Sequence, residues 1–180
     1  MPEQKIDFEA LSNIEVFNLA TAKIFALLYE KFPVRIPLIP NDIAAEMISE
    51  ELYYSNEPRG PGIAITEKHL TPLGRRYHRV TSSTVSWLVK FEYIDRPSQY
   101  DHDRSFAGRA MSSIMSNNHV LTPKGLDALA AVPEALTSKR TAGEQLVELS
   151  KGAGGEAGRA AIGEIIGHII SGTARGFGFG

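Results

Sequence analysis

The first strongly periodic stretch of the chain predicts a long amphipathic helix from Asn13 to Lys31. At about 100° per residue, its apolar side chains fall on one side, while Glu15, Lys23 and Glu30 fall on the other. Ser12 and Glu15 have the S-x-x-E spacing of a capping box, so the helix should begin directly after Ser12. The apolar side consists of Ile14, Val16, Phe17, Ala20, Ile24, Phe25, Leu27 and Leu28.

The next segment changes from helical to β periodicity. Prolines at 33, 37 and 40 are incompatible with a helix interior, and Val34, Ile36 and Leu38 alternate as in a short edge strand. Asn41 predicts the cap of a second, shorter helix. A turn-rich loop should follow from 53 to 62, with a short strand at 63–65.

The middle of the chain predicts two helices. Thr71 and Pro72 form an N-cap and first helical position, opening a short basic helix with Arg75, Arg76, His78 and Arg79. A second helix should start at Thr81 or Ser82 and end near Ile94. One face of that helix is apolar and the other is small, polar and basic.

The last third of the chain predicts a hairpin and three helices. A segment from 106 to 115 and the run 119–121 read as hairpin strands, and Thr122-Pro123 opens a helix that Pro133 ends. Thr141 and Glu144 form a second capping box before a helix through Leu149. The last helix should span 156–171, followed by a flexible glycine-rich tail at 173–180.

One short string occurs twice. Leu70–Gly74 and Leu121–Gly125 both read L-T-P-x-G, 51 positions apart, but their flanks differ. We interpret the two strings as two uses of one helix-cap chemistry and not as a duplicated domain.

The composition limits the possible functions of the 180-residue chain. It has no Cys, which excludes disulfide scaffolds, thiolate zinc sites and cysteine nucleophiles. No segment reaches the roughly 18 uninterrupted apolar residues of a membrane-spanning helix, and the first ten residues lack an apolar signal region. A cytoplasmic protein without integral membrane insertion is therefore expected.

Charge is segregated along the chain although the net charge is only −2. Residues 1–57 hold 4 basic and 10 acidic side chains, whereas residues 58–124 hold 10 basic and 5 acidic ones. A positive middle between acidic ends is typical of a protein with one nucleic-acid-binding face.

The order of helix, Pro-bounded strand, helix, later helix, hairpin and helix resembles the winged helix-turn-helix domain of prokaryotic and phage transcription regulators. The resemblance covers about Ser12 to Val132, and it depends most on the phrase from Asn118 to Leu129, which is similar to the return strand of a wing running into the next helix. It implies a mainly α fold with a small β wing over residues 1–132, a C-terminal helical extension over 133–172 and the tail at 173–180. It also implies a sequence-specific DNA-binding regulator that forms a homodimer.

The helix pair that enters the DNA is ambiguous in this sequence. The helix capped by Asn41 and the helix capped by Thr81 are separated by a long loop, where the family has a short turn. Either the pattern carries an insertion, or the pair is 72–79 with 82–94. Both options present the segment from Thr81 to Ile94 to the DNA.

If that helix enters a major groove, hydroxyls and cations along it should donate to phosphates and bases, and two wing arginines should add to them. The structural alternative for these residues is a solvated surface with capping serines. The predicted DNA contacts are Arg75, Arg76, Arg79, Ser82, Ser83, Ser86, Lys90, Arg104 and Arg109.

Other chemistries have little support in the sequence. Asp101, His102 and Asp103 lack a recognised metal-ligand spacing, so we expect no metal site. Glycine-rich segments lack the Lys-Ser/Thr ending of a phosphate loop, and no serine lies in a G-x-S-x-G elbow. We therefore expect neither an enzyme nor a bound cofactor.

An isoleucine stripe marks the last helix. It can pack on the domain or mediate self-association, and the alternative is that it contacts a protein partner or a membrane surface. A second possible function is thus a winged-helix interaction module that binds a protein through its acidic N-terminal or its Ile-rich C-terminal helix. The stripe comprises Ile162, Ile165, Ile166, Ile169 and Ile170.

Overall fold

A computed structural model describes residues 7–55, 66–95, 118–130, 140–152 and 155–176. Over these ranges the protein is mainly helical, with a small three-stranded antiparallel sheet, so the predicted fold class is confirmed at that level. Predicted features outside the described residues are the strand at 63–65, the strand at 106–115, Asp101 to Asp103, Arg104, Arg109 and Pro133.

The described helices and strands follow in chain order. The helices are α1 (Asn13–Lys31), α2 (Pro40–Ile48), α3 (Glu50–Tyr53), α4 (Pro72–Lys90), α5 (Pro123–Ala130), α6 (Ala142–Gly152) and α7 (Glu156–Gly176). The strands are β1 (Ile36–Pro37), β2 (Ile94–Asp95) and β3 (Asn118–Leu121), and a 3-10 turn (Glu67–His69) precedes α4.

The sheet has the order β1-β3-β2, with β3 in the centre. β1 pairs with β3 through Ile36 opposite His119, and β2 pairs with β3 through Ile94 opposite Leu121. The strand predicted at 119–121 is therefore confirmed as β3, and its described partners are β1 and β2, the segment shortly after α4. The hairpin partner predicted for it, 106–115, lies outside the described residues.

Helix α1 confirms its predicted start and end. Ser12 Oγ accepts from the backbone N–H of Glu15 at 3.3 Å, and Glu15 Oε2 accepts from the backbone N–H of Ser12 at 2.7 Å. Ile14 is an exception to the predicted apolar side, because 64% of it is exposed in the first turn. The remaining predicted apolar positions of α1 are buried or half-buried.

The C-terminal helices share the main core with α1. Phe25 and Leu28 of α1 belong to the same buried cluster as Leu146 of α6 and Ile166 of α7. The boundary predicted near Val132 therefore does not separate two hydrophobic cores among the described residues. Helix α7 continues to Gly176, beyond the predicted end at Ser171, so the first part of the predicted flexible tail is helical.

Helix α2 differs from its prediction at the N-terminus. It starts at Pro40, whose fixed φ fits the first helical turn, and its N-cap Ile39 makes no side-chain hydrogen bond. Asn41 is not a cap, because its Oδ1 accepts instead from the hydroxyl of Tyr53 at 2.7 Å. A second buried cluster joins α2 to α4 through residues that include Ala44, Ala45, Ile48 and Tyr77.

The two helices predicted for residues 72–94 are one continuous helix, α4. Thr81, the expected cap of the second, is 0% exposed and lies within the helix. Thr84 and Ser86 donate their hydroxyl hydrogens to the carbonyls of Val80 and Ser82, so both hydroxyls have a partner within the helix. The helix pair 72–79 with 82–94 is therefore wrong, and α2 with α4 is the pair that packs.

The two L-T-P-x-G strings form the same junction, which confirms the interpretation of a shared cap chemistry. Thr71 Oγ1 accepts from the N–H of Gly74 at 2.9 Å and donates to the carbonyl of Leu52 at 2.6 Å. Thr122 Oγ1 accepts from the N–H of Gly125 at 3.0 Å and donates to the carbonyl of Glu92 at 2.5 Å. Each threonine thereby caps its helix and ties it to the preceding chain.

A glycine is required at the fifth position of both strings. A Cβ added at Gly74 would lie 2.2 Å from the carbonyl oxygen of Tyr53, and one added at Gly125 would lie 2.2 Å from that of Tyr93. No side chain fits at this distance, so the absent Cβ allows α4 and α5 to approach the backbone that they cross.

Candidate nucleic-acid interface

Seven of the predicted DNA contacts lie on one side of α4. At 100° per residue they fall within an arc of about 120°, opposite the buried positions of the helix. Because α4 is one helix and not two, the series extends about 22 Å along a single axis at 1.5 Å per residue. The α4 face, as we name it, consists of Arg75, Arg76, Arg79, Ser82, Ser83, Ser86 and Lys90.

The α4 face is positively charged, and no acidic side chain of the same helix neutralises it. The helix contains three arginines and one lysine, and it contains no Asp or Glu. Arg79, Ser83, Ser86 and Lys90 are exposed, whereas the other three members of the face are half-buried. Two cations and two serines that suit contact with a polyanion are thus exposed to solvent.

Arg76 is a structural member of the α4 face. Its Nε donates to Oδ1 of Asn13 at 3.0 Å, its Nη1 donates to the carbonyl of Glu9 at 3.2 Å, and its Nη2 donates to the carbonyl of Leu11. A phosphate contact was predicted for this arginine, whereas in the structure it holds the segment before α1. The positive charge stays on the face, but the side chain is fixed.

Tyr77 holds the same segment from the buried side of α4. Its hydroxyl donates to the carbonyl of Phe8 at 3.1 Å, and the two rings meet edge to face at 6.5 Å. Burial raises the pKa of Tyr77 to about 12. In α1, the hydroxyl and N–H of Ser12 donate to Glu15 and lower the pKa of its carboxyl.

Arg75 and Arg79 lie one turn apart at the start of the α4 face. Nη1 of Arg75 donates to the carbonyl of Leu70 at 2.8 Å, which places its guanidinium beside the N-terminus of α4. Arg79 is exposed and has no ion pair among the described residues. A guanidinium has five N–H donors in a planar fork, which suits the bidentate recognition of phosphate oxygens.

A cation of α5 that was not predicted from the sequence lies beside the C-terminal end of α4. Lys124 Nζ donates to the carbonyl of Phe91 at 2.8 Å and lies 4.7 Å from the centre of the Tyr93 ring. Lys90 Nζ lies 5.9 Å from the ring of Phe91, which is 43% exposed. The only signal for Lys124 was its place as the variable residue of the second L-T-P-x-G string.

The isoleucine stripe of α7 is not a surface. Ile162, Ile165, Ile166 and Ile169 are at most 6% exposed and belong to the main core, and Ile170 is half-buried against it. The assignment of these residues to self-association is therefore corrected, because α1 and α6 of the same chain already cover the stripe. Packing on the domain, one of the possibilities given for the stripe, is what the structure contains.

Other sites are reported for the described residues only. There, no group of three or more His, Cys, Asp or Glu side chains is placed to hold a metal ion. Within those same ranges, no helix has the length and apolarity needed to cross a membrane. Arg104 and Arg109, the expected wing contacts, fall between β2 and β3 in sequence and are not described.

Comparison with known proteins adds no family to this picture. No family model matches the sequence, and neither curated proteins nor solved structures gave a significant match.

Proposed function

We propose that this protein is a sequence-specific binder of duplex DNA and acts as a transcription regulator of the winged helix-turn-helix class. In this proposal α4 enters the major groove and presents the α4 face to phosphates and base edges. The observation that carries it is the alignment of four cations and three serines on one side of a helix that has no acidic residue.

The element order also supports the proposal. α1, β1, α2, α4, β2, β3 and α5 follow one another as in the domain that the sequence resembles, and β3 lies between β1 and β2. α3 and the 3-10 turn lie between α2 and α4, where the helix-turn-helix family has a short turn. The packing of Ala44 and Ala45 with Tyr77 in one cluster still joins α2 to α4.

The burial of the isoleucine stripe removes the main support for the interaction module. In the described part of the C-terminal helix, the isoleucine stripe is not open to a protein partner, because four of its five isoleucines are buried in the core and Ile170 is half-buried against it. A homodimer on DNA, which the resemblance implies, would need a surface other than this stripe.

The test is selection from a pool of random duplex DNA at two salt concentrations, followed by sequencing of the retained fraction. We expect one enriched motif whose binding weakens steeply with salt, because each phosphate contact releases counterions. Replacing Arg79 and Lys90 by Gln should reduce the slope of log K against log salt by about 2.

The matched control removes the same number of charges elsewhere. Arg140 and Lys151 of the α6 region are exposed and form surface ion pairs with Glu148 and Glu30, which contribute little to stability. Replacing both by Gln should leave the salt slope unchanged. Enrichment of no motif at low salt, or equal loss in both double variants, would overturn the proposal.

A further inference from the structure

A groove runs beside the first two turns of α4. It has a volume of about 260 Å³. Because a water molecule occupies about 30 Å³ in the liquid, a tetrahedral anion fits there together with several waters. The lining residues are Asn13 at the start of α1 and Pro72, Arg75, Arg76, Arg79 and Val80 of α4.

The lining is positively charged. Among the lining residues that the structure describes, three of six are arginines and none is acidic. The first carboxylate in the sequence of α1 belongs to Glu15, and Ser12 Oγ already donates to it at 2.7 Å. An anion in the groove would therefore meet guanidinium groups, and no carboxylate belongs to the part of the lining that the structure describes.

Two helix N-termini lie at the same groove. Asn13 is the first residue of α1 and Pro72 is the first residue of α4, and both line it. The N-terminal end of a helix carries a partial positive charge, which favours an anion. The helix dipoles thus add to the field of the arginines.

The three arginines have different parts in the groove. Arg76 is the positioning residue, because its bonds to Glu9, Leu11 and Asn13 fix the wall opposite α4. Since Oδ1 of Asn13 accepts from Arg76, the amide nitrogen of Asn13 remains as a donor group. Arg75, held at the carbonyl of Leu70, and the exposed Arg79 supply the guanidinium forks.

We infer that this groove binds one phosphate group through Arg75, Arg79 and the amide of Asn13. Arg75 and Arg79 belong to both the groove and the α4 face, so the phosphate is one of the backbone of the bound duplex, and this assignment rests on the proposed function. A phosphate held there anchors the N-terminal end of α4 while the serines that follow lie in the DNA groove.

The first arm of the test titrates inorganic phosphate into the protein without DNA. Binding is followed by calorimetry and by the NMR signals of the arginine Nε–H groups. We expect weak saturable binding that shifts the Arg79 signal and that Arg79→Gln weakens about tenfold or more. Lys90→Gln is the matched control, because Lys90 lies on the same helix but does not line the groove.

The second arm uses a duplex that the protein selects, with one backbone phosphate at a time replaced by a neutral methylphosphonate. We expect one position whose replacement weakens binding of the wild type but not of Arg79→Gln. If inorganic phosphate binds at Arg79 but no backbone position of the duplex is coupled to Arg79, the phosphate in the groove does not come from the DNA backbone. The ligand would then be a free phosphorylated molecule.

The two proposals fail separately. If neither arm shows coupling to Arg79 although the random pool yields a motif, the phosphate site is wrong and DNA binding stands. If the pool yields no motif although phosphate shifts the Arg79 signal, the groove is a phosphate site but the DNA-binding proposal fails.

Discussion

The junctions that begin α4 and α5 have the same structure, whereas the helices that follow them differ. In both junctions a threonine caps the helix, and the glycine three residues later lies against a tyrosine carbonyl. The backbone before each helix also pairs in the same way, through Tyr54 with Leu70 and through Ile94 with Leu121. The five-residue string therefore determines how the helix starts.

The difference between the two helices comes from the residues after the string. α4 has 19 residues with four cations and no acidic residue, whereas α5 has 8 residues with one lysine and one aspartate. The position 51 residues after Arg76 is Asp127. The same junction thus begins a helix with a basic face in α4 and a helix without net charge in α5. Only α4 has a surface whose charge suits DNA.

The largest expected effect is the loss of either glycine. Gly74→Ala and Gly125→Ala should each lower the free energy of unfolding by about 3 kcal/mol or more, because the new Cβ would overlap a backbone oxygen. Urea unfolding measures this. Gly167→Ala is the control, since nothing lies within 4 Å of its added Cβ, and it should stabilise α7 by about 0.5–1 kcal/mol. A tolerated alanine at 74 or 125 would show that the two junctions are not equally tight.

A smaller loss is expected from the caps. Thr71→Val and Thr122→Val each remove an N-cap and a hydroxyl donor, so the free energy of unfolding should fall by about 1–2 kcal/mol in both. The serine variants at the same positions retain the hydroxyl and should lie within about 0.5 kcal/mol of the wild type. Valine variants as stable as the serine variants would contradict the shared cap.

Equivalent positions in the two helices should respond differently. Arg76→Gln loses charged hydrogen bonds to the segment before α1, so the free energy of unfolding should fall by about 1–2 kcal/mol, and amide exchange at 9–13 should speed up. Asp127 is exposed, so Asp127→Asn should stay within about 0.5 kcal/mol. Equal effects of the two substitutions would contradict the structural role of Arg76 in holding the segment before α1.

The smallest change in the free energy of unfolding at neutral pH is expected from the raised pKa of Tyr77. Its contribution is measured at alkaline pH. Because its folded pKa of about 12 lies above the unfolded value of 10.0, the unfolded state loses this proton first. Stability should therefore fall as pH rises from 10 to 12, with a contribution of about 1.4 kcal/mol per pH unit. Urea unfolding of Tyr77→Phe across this range should show a shallower decline, and an unchanged decline would contradict the buried hydroxyl.

Local signals predicted the helix starts well. The capping boxes at Ser12 and Thr141 and the Thr-Pro starts at 71 and 122 occur where expected, because each depends on residues within three positions. Thr81 was misread, since a threonine that can cap a helix can also be buried inside one. Nothing in the sequence alone distinguished these two environments.

The candidate site was predictable as a set of residue types but not in its geometry. The basic and hydroxyl positions align because α4 continues through residue 81, which depends on packing against α1 and α2. The structural role of Arg76 was not predicted, because its hydrogen bonds join residues more than 60 positions apart. The isoleucine stripe was recognised as apolar, but only the folded chain shows that α1 covers it.

The most direct measurement is NMR mapping of the backbone amides while the protein is titrated with the duplex that it selects. The largest shifts should fall on the α4 face, especially at Arg79, Ser83, Ser86 and Lys90, while the exposed positions of α5 should change little. Shifts concentrated on another surface, with the α4 face unchanged at saturation, would contradict the assignment of α4 as the DNA-binding helix.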